Sequence, residues 1–272
     1  MSPAVLQIKD HTGNFIYLNA PPQRIISLVP SQTELLYALG LDERVVGITK
    51  FCVHPDEWYR SKTRVGGTKN TDLNRIHSLK PDLIIANKEE NIKEQVESLM
   101  KDYPVFTTDV KDLHDALSMI KDIGKITHKQ DDAGNICDNI NKAFSSLTDS
   151  FFRKRALYLI WENPYMAAGG DTFISHMMRH AGLVNVLQDC ARYPSLTIHE
   201  IKALQPDIIL LSSEPFPFNE KHINKFKAEI CDTDIKLVDG TFFSWYGSRL
   251  QYAPAYFSSL LSMTDFYEKY YP

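Results

Sequence analysis

The sequence lacks a surplus of positive charge. Its 30 Lys and Arg stand against 34 Asp and Glu, a net charge of −4. Proteins that bind nucleic acid carry a basic excess or stripe to neutralise phosphates, so that class is set aside. It also lacks any run approaching the ~18 apolar residues of a membrane-spanning helix. Cysteine is scarce: Cys52, Cys137, Cys190 and Cys231 are too far apart to form a CxxC redox or metal pair. Free, buried thiols are expected rather than two disulfides. The amino terminus, MSPAVLQIKDHTGNF, has neither the basic start nor the apolar stretch of a secretory signal. The expectation is a cytoplasmic location for the chain as written, or a periplasmic or cell-envelope one if a signal has been removed. No GxGxxG or GxxxxGK[ST] phosphate loop and no GxSxG nucleophile elbow is present.

What is present is an ordinary globular composition, 43% apolar and 24% charged over 272 residues, enough for one large domain or two smaller ones. One phrase occurs twice: LKPDLIIA at Leu79–Ala86 and LQPDIILL at Leu204–Leu211. Each follows a helical pattern and enters an apolar strand. Proline closes the helix, and aspartate suits the turn.

The surrounding chain alternates strands and helices, the mark of parallel α/β units whose strands are buried on both faces. Val5–Ile8 and Phe15–Leu18 flank the turn DHTGN and predict a hairpin. RIISLVP reads as a strand ended by Pro30. The following SQTELLYALGL reads as a helix with Ser31 as N-cap and Glu34 completing a capping box. RVVGIT, DLIIA and PVFTTD follow as strands. RALYLIW, DIILLS and IKLVDG are their counterparts in the second half, and APAYFSSLLSMTDFYEKYY reads as a final helix. Between the halves, Ala133, Ile136, Ile140, Phe144 and Leu147 form one apolar stripe. It predicts a helix over Gln130–Asp149, about 30 Å long. The expected fold is therefore α/β, two Rossmann-like lobes joined by a single long backbone helix. The lobes cover residues 1–111 and 151–272, and connecting helices cover 112–150.

Five segments, in order, carry a resemblance: PPQRIISLVPSQTELLYALGL, VVGITKF, VGGTKNTDLNRIHSLKPDLIIA, AAGGDTFISHMMRHAGLVNVL and YPSLTIHEIKALQPDIILLS. Together they resemble the helical-backbone solute-binding receptors of ABC importers, of the cobalamin- and ferric-siderophore-binding type. The resemblance implies non-catalytic binding of a metal chelate (a corrinoid, haem or ferric siderophore) in a cleft between the lobes. A monomer with no tightly bound cofactor is expected. The resemblance also implies a permease partner docked through one outer glutamate per lobe. Asn74 and His199 stand at those positions, with Glu200 beside the second.

In such a fold the ligand lies outside the carboxyl ends of the strands. The loops there offer Pro30, Ser31, Gln32, Phe51, Thr68, Lys69 and Asn87 on the first lobe. On the second they offer Trp161, Tyr193, Glu214, Phe242, Trp245, Tyr246 and Arg249. Tyr193 keeps an aromatic ring where the cobalamin receptors have tryptophan, whereas Thr68 and Asn87 replace tryptophans. The segment FFSWYGSR concentrates aromatic rings in what reads as a loop. Trp245 and Tyr246 either face the ligand or join the core. Arg249 pairs either with an anionic ligand group or with a carboxylate of the chain.

Direct metal ligation has two weaker candidates. His176 and His180 share a helix face at i and i+4, and Cys52 neighbours His54 in FCVHP. Core-edge packing and a turn histidine beside a buried thiol are the simpler readings. KEEN at Lys88–Asn91 reads as a helix start. A tetrapyrrole chelatase, or another enzyme on a similar two-lobe fold, is the competing function.

Overall fold

The computed structural model describes residues 6–147 and 154–262, with side chains through Leu260. The chain divides into two compact units. The first holds the residues up to Val110, His114–Asn139 and Tyr246–Arg249. The second holds Lys111–Leu113, Ile140–Trp245 and the chain from Leu250 onward.

The first unit opens with an antiparallel hairpin, β1 (Leu6–Lys9) and β2 (Phe15–Leu18). Val5, expected in its first strand, lies outside the described residues. The Asp10 carboxylate closes the turn by accepting the backbone N–H groups of Thr12 and Asn14. Strands then alternate with helices: β3 (Ile25–Ser27), α1 (Pro30–Ala38), β4 (Val45–Ile48), α2 (Asp56–Ser61), β5 (Thr63–Arg64), α3 (Leu73–Leu79), β6 (Leu83–Asn87), α4 (Lys93–Leu99) and β7 (Val105–Thr108). The five strands from β3 on form one parallel sheet in the order β5-β4-β3-β6-β7. Every residue of β3, β6 and β7 is buried, as strands covered on both faces require.

Two helices follow, α5 (Leu113–Thr127) and α6 (Gln130–Ser145). Helix α6 begins in the first unit and passes into the second at Ile140. Its stripe Ala133, Ile136, Ile140 and Phe144 is buried. At 16 residues it spans about 24 Å, shorter than expected. Asp149, the expected end, lies outside the described residues.

The second unit comprises β8 (Lys154–Trp161), β9 (Tyr165–Ala167), α7 (Phe173–His180), β10 (Leu183–Asn185), β11 (Ser195–Leu196), α8 (Ile198–Ala203), β12 (Ile208–Ser212), α9 (Glu220–Glu229), β13 (Asp234–Val238), α10 (Thr241–Ser244) and α11 (Ala253–Ser262). Its sheet runs β11-β9-β8-β12-β13, with β10 beside the start of β8. Strands β8, β10, β12 and β13 are parallel, while β9 is antiparallel to both its neighbours. The sequence pattern does not predict β9, β10 or β11, because two or three residues are too few to show a period. The expected last helix, Ala253–Tyr271, is present as α11 as far as Ser262, and its remainder over 263–271 lies outside the described residues.

The repeated phrase marks a repeated device. In the first unit the Asp82 carboxylate accepts the backbone N–H groups of Gln23 and Arg24, each at 2.7 Å. The Asp82 N–H donates to the Arg24 carbonyl at 3.0 Å. The Arg24 guanidinium donates to the Leu79 carbonyl at the end of α3. In the second unit Asp207 accepts the Arg155 N–H at 2.7 Å and donates to its carbonyl at 2.8 Å. The Arg155 guanidinium donates to the Leu204 carbonyl at the end of α8. Lys80 and Gln205, which precede the two prolines, both take left-handed conformations with φ of 46° and 45°. Each helix thus ends in the same left-handed cap, and each first strand is clamped to the turn that launches its neighbour. The clamps fix β3 beside β6 and β8 beside β12.

Three local expectations are corrected. Val29, not Ser31, caps α1; Pro30 occupies the first helical turn and no side chain caps. Proline there has its missing N–H among groups that are unpaired anyway, so it opens the helix instead of only ending the strand. KEEN is a turn and not a helix start: the Asn87 amide oxygen accepts the N–H groups of Glu89 and Glu90, which delays α4 to Lys93. FFSWYGSR is partly helical, since its first residues lie in α10 and Ser248–Tyr252 form a 3-10 turn. The cysteines are free, with Cys52 and Cys137 buried but Cys190 and Cys231 exposed.

Candidate functional site

On the first unit, the loops after β3, β4, β5, β6 and β7 gather at the carboxyl edge of the sheet. Beneath them lies a buried polar layer. Gln32 donates to the Thr108 hydroxyl, and the Asn87 amide donates to the Thr108 carbonyl and hydroxyl. Asn87 also accepts from the turn above and receives no solvent, so its amide is fully committed within the unit. Pro30, Ser31 and Gln32 are buried, and the Ser31 hydroxyl and the Gln32 amide oxygen have no hydrogen-bond partner among the described residues. Thr68 is half-buried, and its carbonyl accepts from Asn91.

Above this layer, Phe51 is 51% exposed. The Lys50 ammonium stands 5.1 Å from the ring centroid. Gly67 lets the ring approach the backbone: a Cβ there would sit 3.1 Å from the ring edge. Lys69 donates to the Glu89 carbonyl, and Lys88 pairs with Asp109 at 2.6 Å. These loops thus expose the Phe51 ring together with Lys50, Lys69 and Lys88.

Tyr246 and Arg249 belong to this unit and are nearly buried. The Tyr246 hydroxyl donates to the Glu90 carboxylate at 2.8 Å. Arg249 grips Glu34 through Nε at 3.0 Å and Nη2 at 2.6 Å. Of the two outcomes open to Arg249, a carboxylate of the chain is the one observed.

On the second unit, Trp161 ends β8 and is 40% exposed. Its ring packs edge-on against Phe216, with centroids 5.6 Å apart. Glu214 follows β12, and its carboxylate accepts from the Ser244 hydroxyl at 2.6 Å and the Trp245 indole N–H at 2.7 Å. Trp245 is 5% exposed, which places it with the core. Phe242 is buried and stacks on Tyr256 at 4.5 Å. Tyr193 is half-buried, with the Arg192 guanidinium 5.9 Å from its ring.

The metal candidates separate. The Cys52 thiol is buried between the hydroxyls of Thr33 and Thr49, at 3.1 Å each, and burial pushes its pKa up to about 11. A metal takes the thiolate, which this setting suppresses. His54 is exposed. His176 and His180 do face one another, with Nε2 atoms 3.1 Å apart. Burial, with the neighbouring His176 and Arg179, lowers the His180 pKa to about 4.

A family model described as periplasmic binding protein matches residues 25–235, well over half of the chain. The chain belongs to this family. Among its relatives is the ABC transporter substrate-binding lipoprotein YvrC of Bacillus subtilis (strain 168), itself uncharacterized. It is 28% identical over 217 residues, covering 75% of this chain and 68% of the relative. The vitamin B12-binding protein of Vibrio campbellii (strain ATCC BAA-1116) is 23% identical over 201 residues, covering 72% and 73%. A solved periplasmic heme-binding protein, in complex with two hemes, shares the fold. Its TM-score is 0.75 at 23% identity, covering 85% of this chain and 94% of that one.

Sequence reasoning missed the partners that hold the family's strand-end loops here. Glu34 reads as a capping residue and Glu90 as a helix-start acid, yet they anchor Arg249 and Tyr246. No short-range signal links residues 215 and 156 positions apart.

Proposed function

We propose that this chain binds a metal chelate of the corrinoid, haem or ferric-siderophore class without turning it over, as the solute-binding component of an ABC import system. The observation that carries the reading is the pair Phe51 and Trp161. Phe51 comes shortly after β4 and Trp161 ends β8, so each presents an exposed aromatic face at the carboxyl end of a parallel strand of its own unit, where ligands of open α/β sheets bind. Flat rings suit the faces of a macrocycle, and the Lys50 ammonium beside Phe51 suits carboxylates or phenolates at its rim. Membership of a family with relatives named for vitamin B12 and heme supports this class.

Thr68, Lys69 and Tyr193 complete the proposed contacts. Pro30, Ser31 and Gln32 form the floor, while Asn87, Glu214, Phe242, Trp245, Tyr246 and Arg249 hold the loops in shape. No resident cofactor is assigned; the chelate is cargo. A permease is the proposed partner. The exposed Asn74 and His199 bring no carboxylate to it, and the Glu200 carboxylate is engaged in the cap of α8 with Thr197.

The test is to incubate the protein with cyanocobalamin, haemin and a ferric siderophore, record visible spectra and melting temperature, and recover the chelate. A one-to-one spectral change with chemically unaltered ligand on release supports the reading. Metal loss or insertion during incubation would favour the chelatase.

A further inference from the structure

Helix α7 carries a pair of groups that the chelate-binding reading does not use. His176 and His180 lie one turn apart, both half-buried. Their Nε2 atoms are 3.1 Å apart and their ring planes make an angle of 68°. Two nitrogens bound to one ion at roughly 2.0–2.1 Å stand roughly 2.9–3.4 Å apart for angles between square and tetrahedral. The observed separation falls inside that interval.

The scaffold holds the rings in place. Thr172 caps the helix through its side chain, which accepts the Ser175 N–H. Met177 and Met178, next in sequence after His176, are fully buried on the other side of the helix, which anchors α7 against rolling. The edge of the His180 ring meets Phe144 of α6, with centroids 4.9 Å apart at 83°. A single ion can therefore bind with little reorganisation of the protein.

We propose that His176 and His180 form a two-histidine site for a late divalent transition metal, separate from the chelate-binding loops. Imidazole pairs favour Cu²⁺ over Ni²⁺ and Zn²⁺ in the ordinary affinity order. Among the described residues, no third His, Cys, Asp or Glu joins the pair within ligating distance. Bound metal ties residue 176 to residue 180 and so stabilises α7 by mass action.

The experiment uses the untagged full chain titrated with Cu²⁺, followed by calorimetry and by electron paramagnetic resonance. The expected result is one Cu²⁺ per chain at this site with a two-nitrogen signature, and a melting temperature that rises with added Ni²⁺. His176→Ala and His180→Ala should each weaken Cu²⁺ binding at least tenfold and abolish the Ni²⁺ shift. His114→Ala, which alters the exposed group Asp112, His114 and Asp115, should leave both intact. If an alanine variant fails to fold, His180→Gln keeps the volume and decides the matter. Unchanged copper affinity in the folded variants, or no two-nitrogen signal in the wild type, would overturn the site and identify the pair as a histidine–histidine hydrogen bond.

Discussion

Cys52 and its neighbours show what a single buried group does here. Its thiol is sealed among two threonine hydroxyls, and burial holds it protonated far above neutral pH. A thiol reagent at pH 8 should modify Cys190 and Cys231 in the folded protein and spare Cys52 and Cys137 until denaturant is added. Fast modification of all four cysteines would contradict the burial described. His11 is the opposite case. It hydrogen-bonds Asp122 at 3.1 Å, which raises its pKa above the ordinary 6.5 despite partial burial. A raised folded-state pKa means the protonated pair stabilises the fold fully below about 6.5, and that this gain is lost as pH rises through the folded value. Asp122→Asn should remove that part of the pH dependence, read from denaturation midpoints between pH 5.5 and 8. An identical pH profile in the variant would refute the assignment. At this scale the sequence was partly legible. Exposed Phe51 and Trp161 were named from their places after strands. The polar partners were not, because Glu34, Glu90 and Thr108 reach their targets through tertiary contacts that no local pattern encodes.

Among elements, the twin Pro-Asp turns carry the most weight. Asp82 and Asp207 each tie the start of a first strand to the start of the next, and each faces an arginine that caps the preceding helix. Asp82→Ala and Asp207→Ala should each cost about 1–2 kcal/mol, the loss of carboxylate-accepted backbone hydrogen bonds. Urea denaturation of both variants measures this; a large loss in one and none in the other would deny that the two turns do the same work. The long strands and helices were legible because apolar period and breaker residues agree over many positions. The edge strands β9, β10 and β11 were not, being two or three residues long. The α1 cap was misread because Pro30 serves as strand end and helix start at once.

For the whole molecule, two α/β units with their own cores share α6, and the chain belongs to a family of binding proteins. The duplicated plan was legible in a repeated phrase, and the family in five ordered segments. Ligand-specific contacts were less so, since most of the aromatic run after Gly240 proved to be core and anchor rather than exposed surface. The most direct test of the account is the dissociation constant for cyanocobalamin, haemin and a ferric siderophore, measured by spectral titration on the wild type, Phe51→Ala and Trp161→Ala. The account predicts one-to-one binding of at least one of these chelates and, in each variant, affinity about tenfold weaker with an unchanged melting temperature of the unliganded protein. Absence of binding to all three, or wild-type affinity in both variants, would contradict it.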